Sequence, residues 1–169
     1  DVYSSIIKNK AKKLIHSVIS NKYSHLITEQ STRIFETFVE EGIERKTIQD
    51  GLTKKIARIN NSWEFEEELN ILADSLISWD KDSILNKIKE RNLNVDIVLN
   101  DDNEMIVQIP SFKEAKALGS RMWCITQSDN YFNNYTSALE QFYFHFDFNK
   151  KATDTTSFCA YIVNRDETT

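Results

Sequence analysis

Three side chains in the C-terminal part of the sequence have the types that nucleophilic catalysis needs. Cys124 lies between a tryptophan and Ile125, and His145 and Asp147 alternate with phenylalanines in the segment 141–148. A cysteine, a histidine and an aspartate can act as nucleophile, general base and orienting carboxylate. They would meet only if the segments around Cys124 and His145 form neighbouring strands. The pattern predicts, as the alternative function, a cysteine-dependent enzyme that uses Cys124 and His145.

The surroundings of these side chains favour a structural role for Cys124. It lies in the apolar run 122–125, and burial among apolar groups raises the pKa of a thiol and keeps it unreactive. Asp147 shares a strand with His145, so the two side chains would run parallel at roughly 7 Å. No glycine-rich turn presents the sulfur at a helix N-terminus. Packing is therefore the preferred interpretation of this cysteine.

The sequence contains no pattern typical of a metal or cofactor site. None of the soft ligands pairs with another at zinc-site spacing; these are Cys124, Cys159, His16, His25 and His145. The three glycines stand far apart, so the glycine-rich phosphate-binding loops are absent. Glu64 and Glu68 share a helix face, but acidic residues in a first turn are typical of helix-dipole stabilisation. We expect no cofactor and no metal.

The elements that must position these residues change type in the middle of the chain. Up to Arg91 the apolar residues recur every three or four positions, as in helices, and beyond Leu93 they alternate by two. Residues 1–92 contain 15 Lys+Arg and 15 Asp+Glu, whereas residues 93–169 contain 6 and 11. The sequence predicts an α+β protein, with an N-terminal helical bundle over residues 1–92. A small, mainly antiparallel sheet with short helices follows over residues 93–169.

The fourth predicted helix has the clearest pattern. Its apolar residues form a narrow seam at steps of three and four: Phe65, Leu69, Leu72, Leu76 and Trp79. Ser62 is expected to cap its first turn, and Asp80 to cap a short fifth helix. Trp63 and Trp79 are candidate binding residues, because tryptophans dominate protein interfaces.

Beyond Leu93 the pattern predicts five strands and two short helices. The segments 93–99 and 105–109 form a hairpin across a four-residue polar turn. Ser111 and Glu114 have the spacing of a capping box, in which each side chain accepts a backbone N–H. Gly119 either ends that helix in a left-handed conformation or allows close backbone approach. The remaining expected elements are a buried strand at 122–126, a helix at 131–135, and strands at 141–148 and 158–163.

The strand at 141–148 has two chemically distinct faces. One face is assigned to the core and carries Phe142, Phe144, Phe146 and Phe148. Tyr143, His145 and Asp147 point the other way. Tyr143 and His145 are the second pair of candidate binding residues.

Residues 93–169 resemble a protein family of tailed bacteriophages. The shared pattern is Leu-Gly-small, a short gap, Trp-Cys-Ile/Thr, an aromatic pair, a tyrosine and an aromatic strand, here Leu118, Gly119, Ser120, Trp123, Cys124, Ile125, Tyr131, Phe132, Tyr135 and residues 141–148. Most members have no assigned activity, so the resemblance implies a viral source and a compact α/β module but gives no catalytic roles to carry over to this chain. Such proteins often continue with further polar strands, which implies a truncated C-terminus. The missing initiator Met implies a trimmed N-terminus.

Composition and charge narrow the class of partner. No apolar run approaches the roughly 20 residues of a membrane span, and no leader opens the chain, so we expect no membrane association and a place in the host cytoplasm or the virion. The net charge of −5 disfavours nucleic acid, although the first helix carries Lys8, Lys10, Lys12 and Lys13. The sequence predicts a phage-encoded protein-interaction module, virion-associated or active in host takeover or anti-defence. Its expected partner is a phage or host protein.

Overall fold

The computed structural model describes residues 2–121, 123–137, 141–149 and 160–164, with the backbone alone for Cys124 and for 160–164. The chain divides into two compact units, Asp1–Ile77 and Ser78–Thr169. The first is helical, and the second combines short helices with a small antiparallel sheet. The predicted α+β class is confirmed. In the described part of the chain, no helix is long and apolar enough to cross a membrane.

The first unit contains four α-helices. They are α1 (Val2–Val18), α2 (Glu29–Glu40), α3 (Arg45–Thr53) and α4 (Ser62–Leu76), with short 3-10 turns at Asn21–Leu26 and Ile56–Arg58. Gly42 has a φ of 69°, a left-handed conformation that suits glycine and turns the chain between α2 and α3. Beyond this turn α3 packs against α1, whereas α2 packs against α1 and α4.

The core of the first unit is built from one stripe of each helix. Phe35 and Phe38 of α2 meet edge to face with ring centroids 5.5 Å apart, and both are fully buried. Phe65 and Leu69 of α4 are fully buried in the same cluster. Phe65 and Leu69 of the predicted α4 seam therefore face the core of their own unit, and Leu72 and Leu76 pack against it.

The first turn of α4 is capped by a residue other than the expected Ser62. Asn61 is the N-cap, and its side-chain oxygen accepts the backbone N–H of Glu64 at 2.9 Å. Glu64 in turn accepts the backbone N–H of Asn60 at 2.9 Å. The Ser62 cap was wrong by one position, because Asn61 has the extended backbone that an N-cap needs.

The second unit begins with α5 (Lys81–Glu90), which the sequence analysis placed in the helical region. Asp80 caps it as predicted, accepting the backbone N–H of Ser83 at 2.8 Å. This backbone hydrogen bond, together with the Ser78 hydroxyl, lowers the pKa of Asp80 below its ordinary value of 3.8.

A four-stranded antiparallel sheet follows in the order β1-β2-β3-β4. The strands are β1 (Asp96–Asn100), β2 (Glu104–Gln108), β3 (Phe142–Asp147) and β4 (Ala160–Asn164). The predicted hairpin is confirmed, and its turn is closed by Asp101, whose carboxylate accepts the N–H groups of Asn103 and Glu104 at 2.8 and 2.9 Å. These two bonds lower the pKa of Asp101.

Two helices connect β2 to β3, namely α6 (Phe112–Leu118) and α7 (Asp129–Thr136). The strand expected at 122–126 is wrong, because Cys124–Thr126 forms a 3-10 turn between these helices. The strand expected at 141–148 is shorter, and Phe148 lies in the turn that follows it. Within β3 the predicted alternation is confirmed: Phe142, Phe144 and Phe146 are buried, and the residues between them are half-buried.

Candidate functional site

The C-terminal end of α6 is closed by side chains from three separate parts of the second unit. The last carbonyls of a helix lack intrahelical donors and need other partners. Three side chains supply them: Arg121 donates to the Lys116 carbonyl, Lys87 Nζ to the Ala117 carbonyl at 3.2 Å, and Trp79 Nε1 to the Leu118 carbonyl at 3.0 Å. The backbone N–H of Gly119 donates to the Ala115 carbonyl at 2.9 Å. This helix end thus joins α5, α6 and the loop beyond it.

Two of these donors are buried cations. Lys87 is 9% exposed and Arg121 is 5% exposed. A positive charge is stabilised at a helix C-terminus, where the carbonyl dipoles converge. Both side chains therefore contribute to positioning the loop. Sequence reasoning missed them, although Lys87 follows Ile84 by three positions on the apolar face of α5, which is an unusual place for a lysine.

The loop after α6 carries the motif of the phage-like pattern, and it folds around Thr126. The Thr126 hydroxyl lies 2.7 Å from the Ser120 carbonyl and 2.8 Å from the Trp123 carbonyl. The Trp123 ring meets Phe144 edge to face at 5.2 Å. The described residues of this loop therefore form hydrogen bonds with one another and pack on β3.

Gly119 allows close approach rather than a left-handed turn. Its φ is −93°, so the left-handed alternative is wrong. A Cβ at this position would lie 2.8 Å from Thr126 Cγ2 and 2.9 Å from the Ala115 carbonyl oxygen. Only a residue without a side chain fits between α6 and the 3-10 turn.

The predicted capping box at the start of α6 is wrong in its bonding. Ser111 is the N-cap by backbone conformation, but its hydroxyl donates to Glu114 Oε1 and caps no N–H. Glu114 Oε2 accepts the backbone N–H of Asn94 at 3.2 Å. Glu114 is 3% exposed, so this buried carboxylate ties α6 to the segment before β1.

The opposite face of the sheet, which we call the open face, carries Tyr143 and His145 as predicted. Its described side chains on β2 and β3 are all half-buried: Glu104, Ile106, Gln108, Tyr143, His145 and Asp147. His145 Nε2 lies 3.2 Å from Glu104 Oε2. Tyr143 donates its hydroxyl to Gln141. The face is therefore polar at its edges, with Ile106 paired to His145 in the middle.

The strand arrangement required for a Cys124–His145 site is not formed. The neighbours of His145 in the sheet are Ile106 on β2 and Tyr161 on β4, so no strand from 122–126 lies beside it. The side chain of Cys124 and the whole of Cys159 lie outside the described residues. Among the described residues, His145 contacts the Glu104 carboxylate.

The two candidate tryptophans lie in different units and in different environments. Trp63 is 68% exposed in the first turn of α4. Trp79 is 8% exposed and follows the end of α4, so it belongs to the core of the second unit and not to the α4 seam. Tyr131 and Tyr135, which are part of the phage-like pattern, were not predicted as binding residues; they lie one helical turn apart on α7 and are each 54% exposed. Their four-residue spacing was the available signal.

We also searched the part of the chain that the structure describes for side chains that could bind a metal ion. No group of three or more His, Cys, Asp or Glu side chains there could hold an ion. Comparison with known proteins adds nothing further: no family model, curated protein or solved structure matches the chain.

Proposed function

We propose that this chain is a phage-encoded protein-interaction module that binds a phage or host protein through the open face of its sheet. The single observation that carries the proposal is the contrast between the two faces of β3. One face carries phenylalanines that are buried in the core, whereas the other face carries Tyr143 and His145, which are half-buried beside Ile106. A tyrosine-containing surface with an apolar centre and polar edges is typical of protein interfaces.

The hydrogen bonds around α6 support a binding role over a catalytic one. Lys87 and Arg121 donate to backbone carbonyls, and Glu114 binds Ser111 and the Asn94 N–H. These charged side chains are used to hold the loop and the sheet in position. The viral source rests on the sequence resemblance alone.

Site-specific photo-crosslinking in the natural host tests this proposal. A photoreactive phenylalanine analogue at Tyr143 should produce a discrete adduct with one protein. The matched control is the same analogue at Asp102, which is exposed in the β1–β2 turn of the same unit. Equal labelling from both positions, or no adduct from Tyr143, would contradict binding through the open face.

A further inference from the structure

Positive charge is concentrated at the start of the chain. Residues 1–28 contain five lysines and one acidic residue, Asp1, whereas residues 29–169 contain 16 Lys+Arg and 25 Asp+Glu, a net charge of −9. The first helix of an otherwise acidic molecule therefore has a sign opposite to that of the rest of the chain. Such segregation favours contact between this helix and an acidic surface.

The outer side of α1 also carries exposed apolar side chains. Val2, Tyr3 and Ile6 are 77%, 61% and 45% exposed. Ile6 follows Val2 by four positions and Tyr3 by three, so the three side chains lie on one side of the helix. Lys10 and Lys13 continue this stripe, and both are exposed. We call Val2, Tyr3, Ile6, Lys10 and Lys13 the α1 stripe.

The first half of α4 presents the complementary chemistry. Trp63 is 68% exposed, and Glu67, one turn further on the same side, is also exposed. The neighbouring acids Glu64, Glu66 and Glu68 contact Asn60, Thr28 and Lys55 of the same chain. Among the described residues, no ion pair involves Glu67, Lys10 or Lys13. We call Trp63 and Glu67 the α4 stripe.

We propose that the first unit self-associates, with the α1 stripe of one copy packed on the α4 stripe of a second copy. Val2, Tyr3 and Ile6 would cover Trp63, and the lysines would face Glu67 and its acidic neighbours. Both stripes are exposed within a single copy, so neither covers the other there. A twofold arrangement forms the contact twice, because each copy contributes one stripe of each kind. The residues of both stripes belong to the first unit, whereas the open face belongs to the second.

Sedimentation velocity on the full chain tests the proposal across a range of protein concentrations. We expect a monomer–dimer equilibrium that weakens as salt increases, because the charges at the contact are exposed. Lys10→Glu combined with Lys13→Glu should weaken the dimer on the order of tenfold or more, and Glu67→Lys should also weaken it. The control is Lys8→Glu with Lys12→Glu, an equal change of charge on another side of α1.

The most specific test is to mix the Lys10→Glu/Lys13→Glu variant with the Glu67→Lys variant. In a mixed dimer one contact has both charges reversed and the other is native, so association should return towards the wild-type level. A wild-type chain that stays monomeric at every concentration overturns the proposal. So does a control variant that weakens association as much as the stripe variant, or a mixture that stays monomeric while circular dichroism shows both variants folded.

Discussion

The backbone groups at the N-terminal end of α4 and at the C-terminal end of α6 obtain their hydrogen-bond partners in different ways. Each helix end has backbone groups without intrahelical partners. At α4 the partner is the adjacent residue, Asn61. At α6 the partners come from Trp79 and Lys87, which are 39 and 30 positions away in sequence, and from Arg121, five positions away. A local cap stabilises one helix, whereas a long-range cap also fixes where that helix lies in the second unit.

The largest effect should come from removing the long-range cap at Trp79. Trp79→Ala deletes a buried indole and leaves the Leu118 carbonyl without its donor, so we expect the free energy of unfolding to fall by about 3–5 kcal/mol. Trp79→Phe keeps most of the volume and should cost about 1–3 kcal/mol. Urea unfolding followed by circular dichroism measures both changes.

The control for Trp79 is the exposed tryptophan of the other unit. Trp63→Ala, measured at low protein concentration, should change the free energy of unfolding by no more than about 0.5 kcal/mol. Equal losses at Trp63 and Trp79 would mean that the indole at Trp79 does not hold the α6 end.

A smaller effect is expected at the local cap of α4. Asn61→Ala removes the acceptor for the Glu64 N–H and should cost about 1 kcal/mol. Ser62→Ala is the matched control, since Ser62 is the first residue of the helix and not its cap. Urea unfolding of the two variants distinguishes them, and a larger loss at Ser62 than at Asn61 would contradict the assigned cap.

The smallest effect concerns Asp80, the local cap of α5. Its pKa is lowered in the folded state, so its contribution to stability is present above its ordinary value of 3.8 and is lost as the pH falls through the lowered pKa. We expect Asp80→Asn to be less stable than wild type near neutral pH. The difference should narrow below a pH of about 4. A difference that stays constant with pH would rule out the charged carboxylate as its cause.

Local patterns predicted the elements that depend on neighbouring residues. Three features could be predicted from the sequence because each depends on residues a few positions apart: the β1–β2 hairpin, the Asp80 cap and the alternation of β3. The segment 122–126 was misassigned as a strand. Its apolar composition fits a strand and a packed turn equally well, and the bonds made by Thr126 and Arg121 select the turn.

Only the part of the candidate site that depends on local spacing was predicted. The alternation of β3 placed Tyr143 and His145 on one face, as the structure has them. The contact between His145 and Glu104 joins residues 41 positions apart, and no local spacing indicates it. The exposure of Trp63 and the burial of Trp79 also depend on which unit each joins.

By itself, the sequence determined the α+β class, the periods of the helices and strands and the apolar face of the sheet, since hydrophobic spacing expresses local backbone geometry. Only the tertiary structure decided where the buried charges go. Lys87 and Glu114 are buried with hydrogen bonds to backbone groups 30 and 20 positions away, and Arg121 is buried with hydrogen bonds to carbonyls five positions away on either side. Desolvating a charge without such partners is costly. Those partners exist only after the chain has folded.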